Sequence, residues 1–342
     1  MKILIIMDPG ILIPVKGYGG HERLVEMFAK EYTKLGHQVS LLVTEGSYAE
    51  NCTVFSLGKE GFPPPKKDRN KTMFTAWKFL WKHRNEFDLV HNFGRLLYLL
   101  PILNSPVKKI MTYGRIIRGR NIKYINKLPN KNLIFTAPSD WCVNTGNESG
   151  KWVTVYNAID YSKYELIEKV LNDAPLIFLS RIEKLKGAHE AIEIAKATNN
   201  KLIIAGNISP LEEEKLYFKN EIEPHIDGVQ ITYVGTLDDE GKNKYLGMAK
   251  AMLFPARTEE AFGMVMAEAM ACGTPVLAYN HSAMPEVVLD SISGFIVNDK
   301  EEMKQAISKT CLLSRNKVRA TTENLFDLKV IAKKYLDLAN EI

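Results

Sequence analysis

The sequence predicts an α/β protein with two doubly wound parallel sheets, and three observations support this class. Short apolar runs alternate with amphipathic helical patterns along the chain, which is typical of parallel sheets flanked by helices. The chain has 342 residues, enough for two domains with separate cores. The alternation restarts after a polar stretch at residues 160–173, so each half is expected to form its own sheet.

The first half begins with a buried strand at residues 2–7, which are apolar and too few for a helix. Apolar residues then recur at helical spacing from His21 to Leu35, and Gly36 ends the helix before a strand at 39–43. These elements form one βαβ unit. Further strands of this half are predicted at residues 54–57, 89–91, 109–112 and 133–136.

The second half has the same order of elements. A strand at 176–179 precedes a polar loop and a helix that starts near Gly187, and more strands follow at 202–205, 231–234, 251–254, 275–278 and 295–297. The expected organisation is an N-terminal domain at 1–160, a linker at 161–173, a C-terminal domain at 174–326 and a final helix at 327–342. Ligands of such sheets bind beyond the carboxyl ends of the strands, so the site is expected in the cleft between facing domains.

The composition excludes several classes of protein. Hydrophobic residues make up 46% of the chain and charged residues 25%, as in ordinary globular proteins and unlike disordered or collagen-like chains. The longest apolar run, 96–103, is far shorter than the roughly 20 residues that span a bilayer. The N-terminus lacks signal-peptide features, which predicts a cytoplasmic protein. The four cysteines are far apart, without metal-ligand spacing, and are expected to be reduced.

The charge is divided unequally between the halves. Residues 1–165 hold 24 Lys+Arg and 14 Asp+Glu, a net charge of +10, whereas residues 166–342 have a net charge of −5. The excess lies at 108–131 and at 66–84. Within 66–84, basic residues alternate at helical spacing with Met73, Phe74, Trp77, Leu80 and Trp81. Two interpretations stay open: a solvated face, or a surface for an anionic acceptor or peripheral membrane contact. Nucleic-acid binding is disfavoured, because no motif interleaves basic and aromatic residues as such sites do.

The glycine cluster Gly17-Tyr18-Gly19-Gly20 follows the first strand and precedes the first helix, where backbone N–H groups can hold a phosphate or a sugar. The cluster lacks Gly-x-Gly-x-x-Gly spacing, and its loop is too long for a dinucleotide turn. A nicotinamide dehydrogenase is therefore disfavoured. A loop without a ligand remains the alternative.

Two cations stand in the equivalent position of the second half. Arg181 and Lys186 follow a strand and precede a helix, so a planar guanidinium, an ammonium and helix N–H groups meet, as a diphosphate requires. The alternative is an ordinary charged strand end.

The strongest motif is Glu260 to Pro275, which follows another strand and opens a helix. Glu268 lies among apolar helix residues. Either its carboxylate is buried and receives hydrogen bonds, or it lies on a narrow exposed stripe of an otherwise buried helix. Glu260 precedes the helix, and the two carboxylates are at most roughly 12 Å apart along it. They can hold opposite ends of an extended ligand, a sugar and a ribose, while the N–H groups of Gly263 to Val265 face a phosphate between them.

With these motifs the chain resembles a retaining glycosyltransferase of family 4, with the GT-B fold of two Rossmann-like domains. Four motifs carry the resemblance. In the first half they are a Gly-Gly-x-Glu loop at Gly19, Gly20 and Glu22 and an Asp-x-x-His pair at Asp88 and His91. In the second half they are an Arg-x(4)-Lys pair at Arg181 and Lys186 and two glutamates with seven residues between them, Glu260 and Glu268. Residues 14–23 are similar to the subgroup of UDP-glucose:tetrahydrobiopterin and antibiotic glucosyltransferases.

The resemblance implies a nucleotide-diphosphate sugar, UDP-linked, as donor and co-substrate, with no separate cofactor. Glu268 would hold the ribose, Glu260 the sugar, and Arg181 with Lys186 the diphosphate. Further donor contacts implied by the motifs are Gly19 and Gly20 in the first half, with His91 near the sugar, and Phe262, Gly263, Met264 and Val265 in the second. The final helix would cross back onto the N-terminal domain.

Activity is expected to need no metal, because the two cations and the helix N-terminus already stabilise the leaving diphosphate. Asp238-Asp239-Glu240 is interpreted as a helix cap rather than a metal motif. Retention follows from the resemblance and from the lack of a recognisable general base. The sequence departs from the family at Tyr113-Gly114, at Asn157-Ala158 and at residues 281–285 before Glu286. A non-catalytic sugar-nucleotide-binding protein and a GT-B epimerase or phosphorylase are the alternatives.

Overall fold

The chain folds into two units. The structure, a computed structural model, describes residues 1–15, 19–61, 66–146 and 150–342. Unit 1 consists of Met1–Ala158 and Leu328–Ile342, and unit 2 of Ile159–Asp327. Residues 161–173, expected as a linker, lie within unit 2, where the Ile167 amide donates to the Cys272 carbonyl oxygen at 3.3 Å.

The described residues of unit 1 contain a seven-stranded parallel sheet in the order β3-β2-β1-β4-β5-β6-β7. Its strands are β1 (Lys2–Ile6), β2 (Gln38–Thr44), β3 (Thr53–Gly58), β4 (Leu89–Asn92), β5 (Lys108–Thr112), β6 (Leu133–Ala137) and β7 (Trp152–Thr154). Ile3 of β1 pairs with Val39 on one side and Leu89 on the other. The four apolar side chains of β1 are fully buried, as expected for a central parallel strand covered on both faces.

Helices flank this sheet. They are α1 (Gly20–Lys34), α2 (Lys66–Lys82), α3 (Arg120–Asn126) and α4 (Asp140–Gly146). The apolar stripe of α1, which includes Leu24, Phe28 and Tyr32, is buried, while Lys30 on the opposite side is exposed. The helical spacing of these residues in the sequence is therefore the spacing of a buried face.

The described residues of unit 2 contain a six-stranded parallel sheet in the order β10-β9-β8-β11-β12-β13. Its strands are β8 (Leu176–Leu179), β9 (Leu202–Ala205), β10 (Ile231–Tyr233), β11 (Ala251–Phe254), β12 (Val276–Tyr279) and β13 (Gly294–Val297). The helices are α5 (Ala188–Ala197), α6 (Glu212–Tyr217), α7 (Asp239–Met248), α8 (Met264–Ala271), α9 (Met284–Val287), α10 (Lys300–Lys309) and α11 (Arg315–Phe326).

The last helix, α12 (Leu328–Asn340), belongs to unit 1 and packs on α1 and β5. Its buried side includes Ile331, Tyr335 and Ala339, and the Tyr335 ring meets the Phe28 ring edge-on at 5.3 Å. Residues distant in sequence thus complete the core of the first sheet.

The predicted fold class of two parallel doubly wound sheets is confirmed. Each predicted strand coincides with an observed strand to within one residue at either end, and β7 was not predicted. Among the described residues, no helix combines the length and the apolar character needed to cross a membrane.

Candidate active site

The loops that follow β8 and β11 pack together at the carboxyl edge of the unit 2 sheet, because these two strands are neighbours. The Arg257 amide donates to the Leu185 carbonyl oxygen at 2.8 Å. Gly187 adopts a left-handed conformation with φ of +83°, and a Cβ atom there would lie 2.5 Å from the Pro255 carbonyl oxygen. Glycine at 187 therefore allows the close approach that joins the two predicted motifs.

A lysine and a glutamate from these loops form an ion pair. Lys186 Nζ lies 2.5 Å from Glu260 Oε2, and their side chains are 12% and 23% exposed. Glu260 also lies against Gly263, because a Cβ atom added to Gly263 would be 3.4 Å from the Cγ atom of Glu260. Gly263, with φ of +79°, precedes α8, and no side chain caps that helix. The structure thus brings an ammonium, a carboxylate and a helix N-terminus together, an arrangement suited to a phosphate group.

Arg181 lies on the same loop as Lys186, as predicted. Its side chain is 41% exposed, and its guanidinium pairs with Glu183 at 2.7 Å. The Glu183 side chain is 19% exposed, so the pair is partly buried, and a phosphate would compete with Glu183 for the guanidinium.

Glu268 is buried in α8 with partners from two other segments. Lys242 Nζ on α7 lies 2.9 and 3.0 Å from its two carboxylate oxygens. The Tyr164 hydroxyl also bonds to Glu268, and burial raises the pKa of Tyr164, so the phenol donates. The sequence motif located Glu268 but not these partners.

The acidic turn before α7 is a helix cap, as interpreted from the sequence. Asp238 accepts a hydrogen bond from the Gly241 amide at 2.8 Å. Within residues 1–15, 19–61, 66–146 and 150–342, no three His, Cys, Asp or Glu side chains are grouped so that they could hold a metal ion.

A second group of polar residues, missed from the sequence, braces the β11 loop. Buried Glu190 of α5 accepts from Arg257 Nε at 2.9 Å and from the Tyr279 hydroxyl. Burial raises the pKa of Glu190, but the hydrogen bonds from Arg257 and Tyr279 outweigh it and hold the pKa below its ordinary value. The Arg257 guanidinium also stacks 4.7 Å from the Tyr279 ring centre. This cluster fixes the loop that carries Glu260.

Residues 281–285, which stand where the family pattern has a glycine-rich turn, contact the backbone of Glu260 through their own backbone. The Ala283 amide donates to the Glu260 carbonyl oxygen at 3.2 Å. Ser282 adopts φ of +52°, a conformation that glycine takes at lower cost. The altered residues therefore keep the left-handed turn beside Glu260.

One predicted donor residue, Phe262, has a side chain that faces the protein. The Phe262 ring is buried and meets the Phe326 ring edge-on at 5.2 Å, so Phe262 can offer only its backbone to a ligand. Met264 and Val265, in the first turn of α8, are half-buried.

His91, predicted to lie beside the donor sugar, lies in the core of unit 1. Its imidazole is fully buried in β4, with Nε2 2.9 Å from Thr112 Oγ1 and Nδ1 3.2 Å from the Tyr32 hydroxyl. The Tyr335 ring of α12 lies 4.4 Å from the imidazole centre. Burial lowers the pKa of His91 to about 3. Asp88 of the same motif accepts from the Lys2 amide at 2.7 Å, so this pair holds the sheet together.

The described part of the first glycine cluster starts α1. Gly19 has φ of +151°, and a Cβ atom there would lie 3.0 Å from Glu22 Oε2. Glu22 is 8% exposed, and burial, with a smaller effect of Asp8, raises its pKa. Gly20 is the first residue of α1, and none of the side chains that the structure describes caps the N-terminus of this helix. Gly17 and Tyr18 lie outside the described residues.

Part of unit 2 is similar to a known protein family. The family profile described as "Glycosyl transferases group 1" matches residues 165–324, which contain the Lys186–Glu260 pair and Glu268. The matched residues include Arg181, Lys186, Glu260 and Glu268.

Individual proteins are similar to this chain over lengths that differ from that of the family match. A Klebsiella pneumoniae protein described as an uncharacterized 41.2 kDa protein in the cps region is 28% identical over 256 residues, which are 64% of this chain and 68% of the relative. A phosphatidyl-myo-inositol mannosyltransferase of Propionibacterium freudenreichii is 31% identical over 147 residues, only 35% of its own length. The chain thus spans about a third of that mannosyltransferase.

The fold of the whole chain matches solved glycosyltransferase structures. HepE of Anabaena, solved in complex with UDP and glucose, is 18% identical with a TM-score of 0.73, and the match covers 100% of both chains. At this identity the similarity establishes the shared fold. The predicted subgroup of tetrahydrobiopterin and antibiotic glucosyltransferases stays a prediction.

Proposed function

We propose that this chain transfers a hexose from a UDP-sugar to an acceptor hydroxyl, with retention of configuration and without a metal ion. The observation that carries the proposal is the Lys186–Glu260 pair at the uncapped N-terminus of α8. The UDP donor is supported by the bound UDP of HepE, a protein with the same fold.

The ion pair explains how binding and catalysis can be linked. A diphosphate bound at the α8 N-terminus would take Lys186 as its partner, and Glu260 would then accept hydrogen bonds from sugar hydroxyls instead. Arg181, on the same loop, would exchange Glu183 for the second phosphate. Negative charge that develops on the leaving diphosphate meets a fixed ammonium and helix N–H groups, which lowers the barrier to bond cleavage.

Glu268 has the surroundings of a ribose contact. Lys242 and the Tyr164 hydroxyl bind the carboxylate and fix its orientation, so a pair of ribose hydroxyls can donate to its oxygens. Such contacts are equal in the ground and transition states, so they contribute to affinity rather than to turnover.

Retention follows if the acceptor hydroxyl attacks the anomeric carbon from the side on which the diphosphate leaves. The bond from the anomeric carbon to the phosphate oxygen breaks, the bond to the acceptor oxygen forms, and the acceptor proton passes to the leaving phosphate oxygen. Because the proton passes to the leaving group, this route needs no general base from the protein.

The competing function is a sugar-nucleotide-binding protein without catalysis. A screen by thermal shift with UDP, UDP-glucose, GDP-mannose and ADP-glucose identifies the donor, since a ligand at 100 times its Kd adds about 2.7 kcal/mol of stability. Proton NMR then follows the best ligand with the purified chain. Release of the sugar with its anomeric configuration retained supports the enzyme, whereas binding without any cleavage indicates the non-catalytic protein, and an inverted product contradicts retention.

The acceptor is proposed to be held at an anionic membrane surface by α2. Thr72, Ala76 and Leu80 of this helix are buried, whereas Phe74 and Trp81 are 65% and 60% exposed. The exposed side also carries lysines at helical spacing, namely Lys71, Lys78 and Lys82. Aromatic rings among lysines on one solvent-facing stripe are typical of helices that lie in a membrane interface.

Co-sedimentation with liposomes tests this surface. The double variant Phe74→Ser/Trp81→Ser is expected to lose binding to vesicles of anionic lipid, and high salt is expected to weaken binding of the unmodified chain. The matched control is Val229→Ser/Leu312→Ser, which removes two apolar side chains of unit 2 that are 78% and 79% exposed. Equal binding by both double variants would exclude α2 as the membrane contact.

A further inference from the structure

A short segment of unit 2, residues 161–165, contacts both α7 and α8. The Glu165 amide donates to the Asn243 side chain of α7 at 2.8 Å, and the Tyr164 hydroxyl hydrogen-bonds to the Glu268 carboxylate of α8. Tyr164 is buried. The sequence predicted a linker from residue 161 onward, so no role at the site was expected for this segment. It is instead a part of the surroundings of the buried carboxylate.

Arg319 of α11 holds this segment against α8. Its Nη1 donates to the Tyr164 carbonyl oxygen at 2.7 Å and to the Ala271 carbonyl oxygen at 2.6 Å. Its Nη2 donates to the Tyr161 carbonyl oxygen at 3.1 Å, and the guanidinium lies 5.5 Å from the centre of the Tyr161 ring. One cation therefore joins the backbone of the segment to the last residue of α8.

The hydrogen bonds of Arg319 are made on both sides of Glu268. Ala271 lies three residues after Glu268, within one turn of the helix, and a carbonyl at a helix C-terminus has no partner in its own helix. The other bonds hold the backbone of Tyr164, whose hydroxyl orients the carboxylate. A guanidinium is a rigid planar fork, so it fixes the distance between the two backbones. A change at Arg319 would therefore displace both the helix turn and the phenol.

We propose that Arg319 is a positioning residue for donor binding, which acts through Tyr164 and α8 to hold the Glu268 carboxylate where it accepts from the ribose hydroxyls. This inference rests on the proposed function, in which Glu268 binds the ribose. Arg319 needs no contact with the nucleotide, because it acts through backbone carbonyls of unit 2. A carboxylate that is already oriented loses less freedom when the ligand binds, so Arg319 contributes to affinity.

Calorimetric titration with UDP and with 2′,3′-dideoxy-UDP tests this role, because the analogue lacks the hydroxyls that Glu268 would bind. The unmodified chain is expected to prefer UDP by about 30-fold, and Arg319→Met is expected to reduce this preference to about threefold by weakening UDP binding alone. Tyr164→Phe removes only the hydroxyl and should shift the preference in the same direction. The matched control on α11 is Glu323→Gln, which removes the 44% exposed carboxylate that lies 3.5 Å from Arg319 Nε and should leave the preference unchanged.

Each outcome supports or overturns the role of Arg319. If Arg319→Met keeps the full preference for UDP, or if its affinities for UDP and the analogue fall together, Arg319 does not act through the ribose contact, and the proposed donor still stands. If the unmodified chain binds both compounds equally, the ribose role of Glu268 is wrong and the inference falls with it. If it binds neither compound, the proposed UDP donor itself is wrong.

A second variant covers the case in which Arg319→Met does not fold. Arg319→Lys keeps the positive charge but places all its donors on one nitrogen, so it cannot reproduce the planar fork. The preference for UDP is then expected to lie between those of the unmodified chain and Tyr164→Phe. A full preference in Arg319→Lys would show that the charge alone suffices, and would overturn the positioning role.

Discussion

The carboxyl edges of the two sheets differ in the state of their ionisable groups. In unit 2 the carboxylates are paired with lysines, Lys186 with Glu260 and Lys242 with Glu268. In unit 1 burial dominates, since it lowers the pKa of His21 to about 4 and raises the pKa of Glu22. The edge of unit 2 therefore carries paired charges, whereas burial at the edge of unit 1 disfavours the charged forms of its groups.

The largest effect is expected from removing one of the exchangeable cations. Lys186→Met should lower kcat with UDP-glucose by about 100- to 1000-fold, because the leaving diphosphate loses its ammonium. Steady-state release of UDP measures this loss. The control Lys215→Met removes an exposed lysine whose partner Glu212 is 78% exposed, and should leave kcat unchanged. A Lys186→Met enzyme within threefold of the unmodified chain would break the contrast between the two edges.

The two carboxylates of unit 2 should separate binding from turnover. Glu268→Ala is expected to weaken donor affinity by roughly 30-fold with little change in kcat, because contacts to the ribose are equally strong in the ground state and the transition state. Glu260→Gln is expected to lower kcat by roughly 30-fold with little change in UDP affinity, since contacts to the sugar change as the bond breaks. Equal losses in kcat and KM for both variants would contradict these roles.

A separate effect is expected on the stability of unit 1 as the pH falls. His91, with its pKa lowered to about 3, is neutral in the native state, whereas an unfolded histidine has a pKa near 6.5. Below pH 6.5 the unfolded chain binds a proton that the native chain does not. The free energy of unfolding should therefore fall by about 1.4 kcal/mol per pH unit for this residue, from pH 6.5 toward 3, and His21 should add to the slope.

Urea unfolding followed by tryptophan fluorescence measures this slope in unit 1 alone, because all four tryptophans, at positions 77, 81, 141 and 152, lie there. His91→Asn is expected to be less stable at pH 7 yet to lose part of the dependence between pH 7 and 5. An unchanged slope in His91→Asn would show that the buried imidazole does not titrate as proposed.

The sequence predicted backbone positions better than side-chain surroundings. The strands were located because parallel strands covered on both faces are short apolar runs, and Lys186 and Glu260 were located because their motifs follow such runs. The burial of His91 was not predicted because the Tyr335 ring that covers it is distant in sequence, and no local pattern reveals that packing. Lys242 and Glu190 were missed for the same reason, since their partners lie on other elements.

The central claim is that the charges of unit 2 cleave a UDP-sugar without a metal ion. Its most direct test is the rate at which the purified chain releases UDP from UDP-glucose, with water as acceptor, measured with and without excess EDTA. We predict the same rate in both conditions, because Lys186 and the N-terminus of α8 already supply the positive charge that the leaving group needs. Loss of all release in EDTA, restored by magnesium or manganese, would contradict the claim.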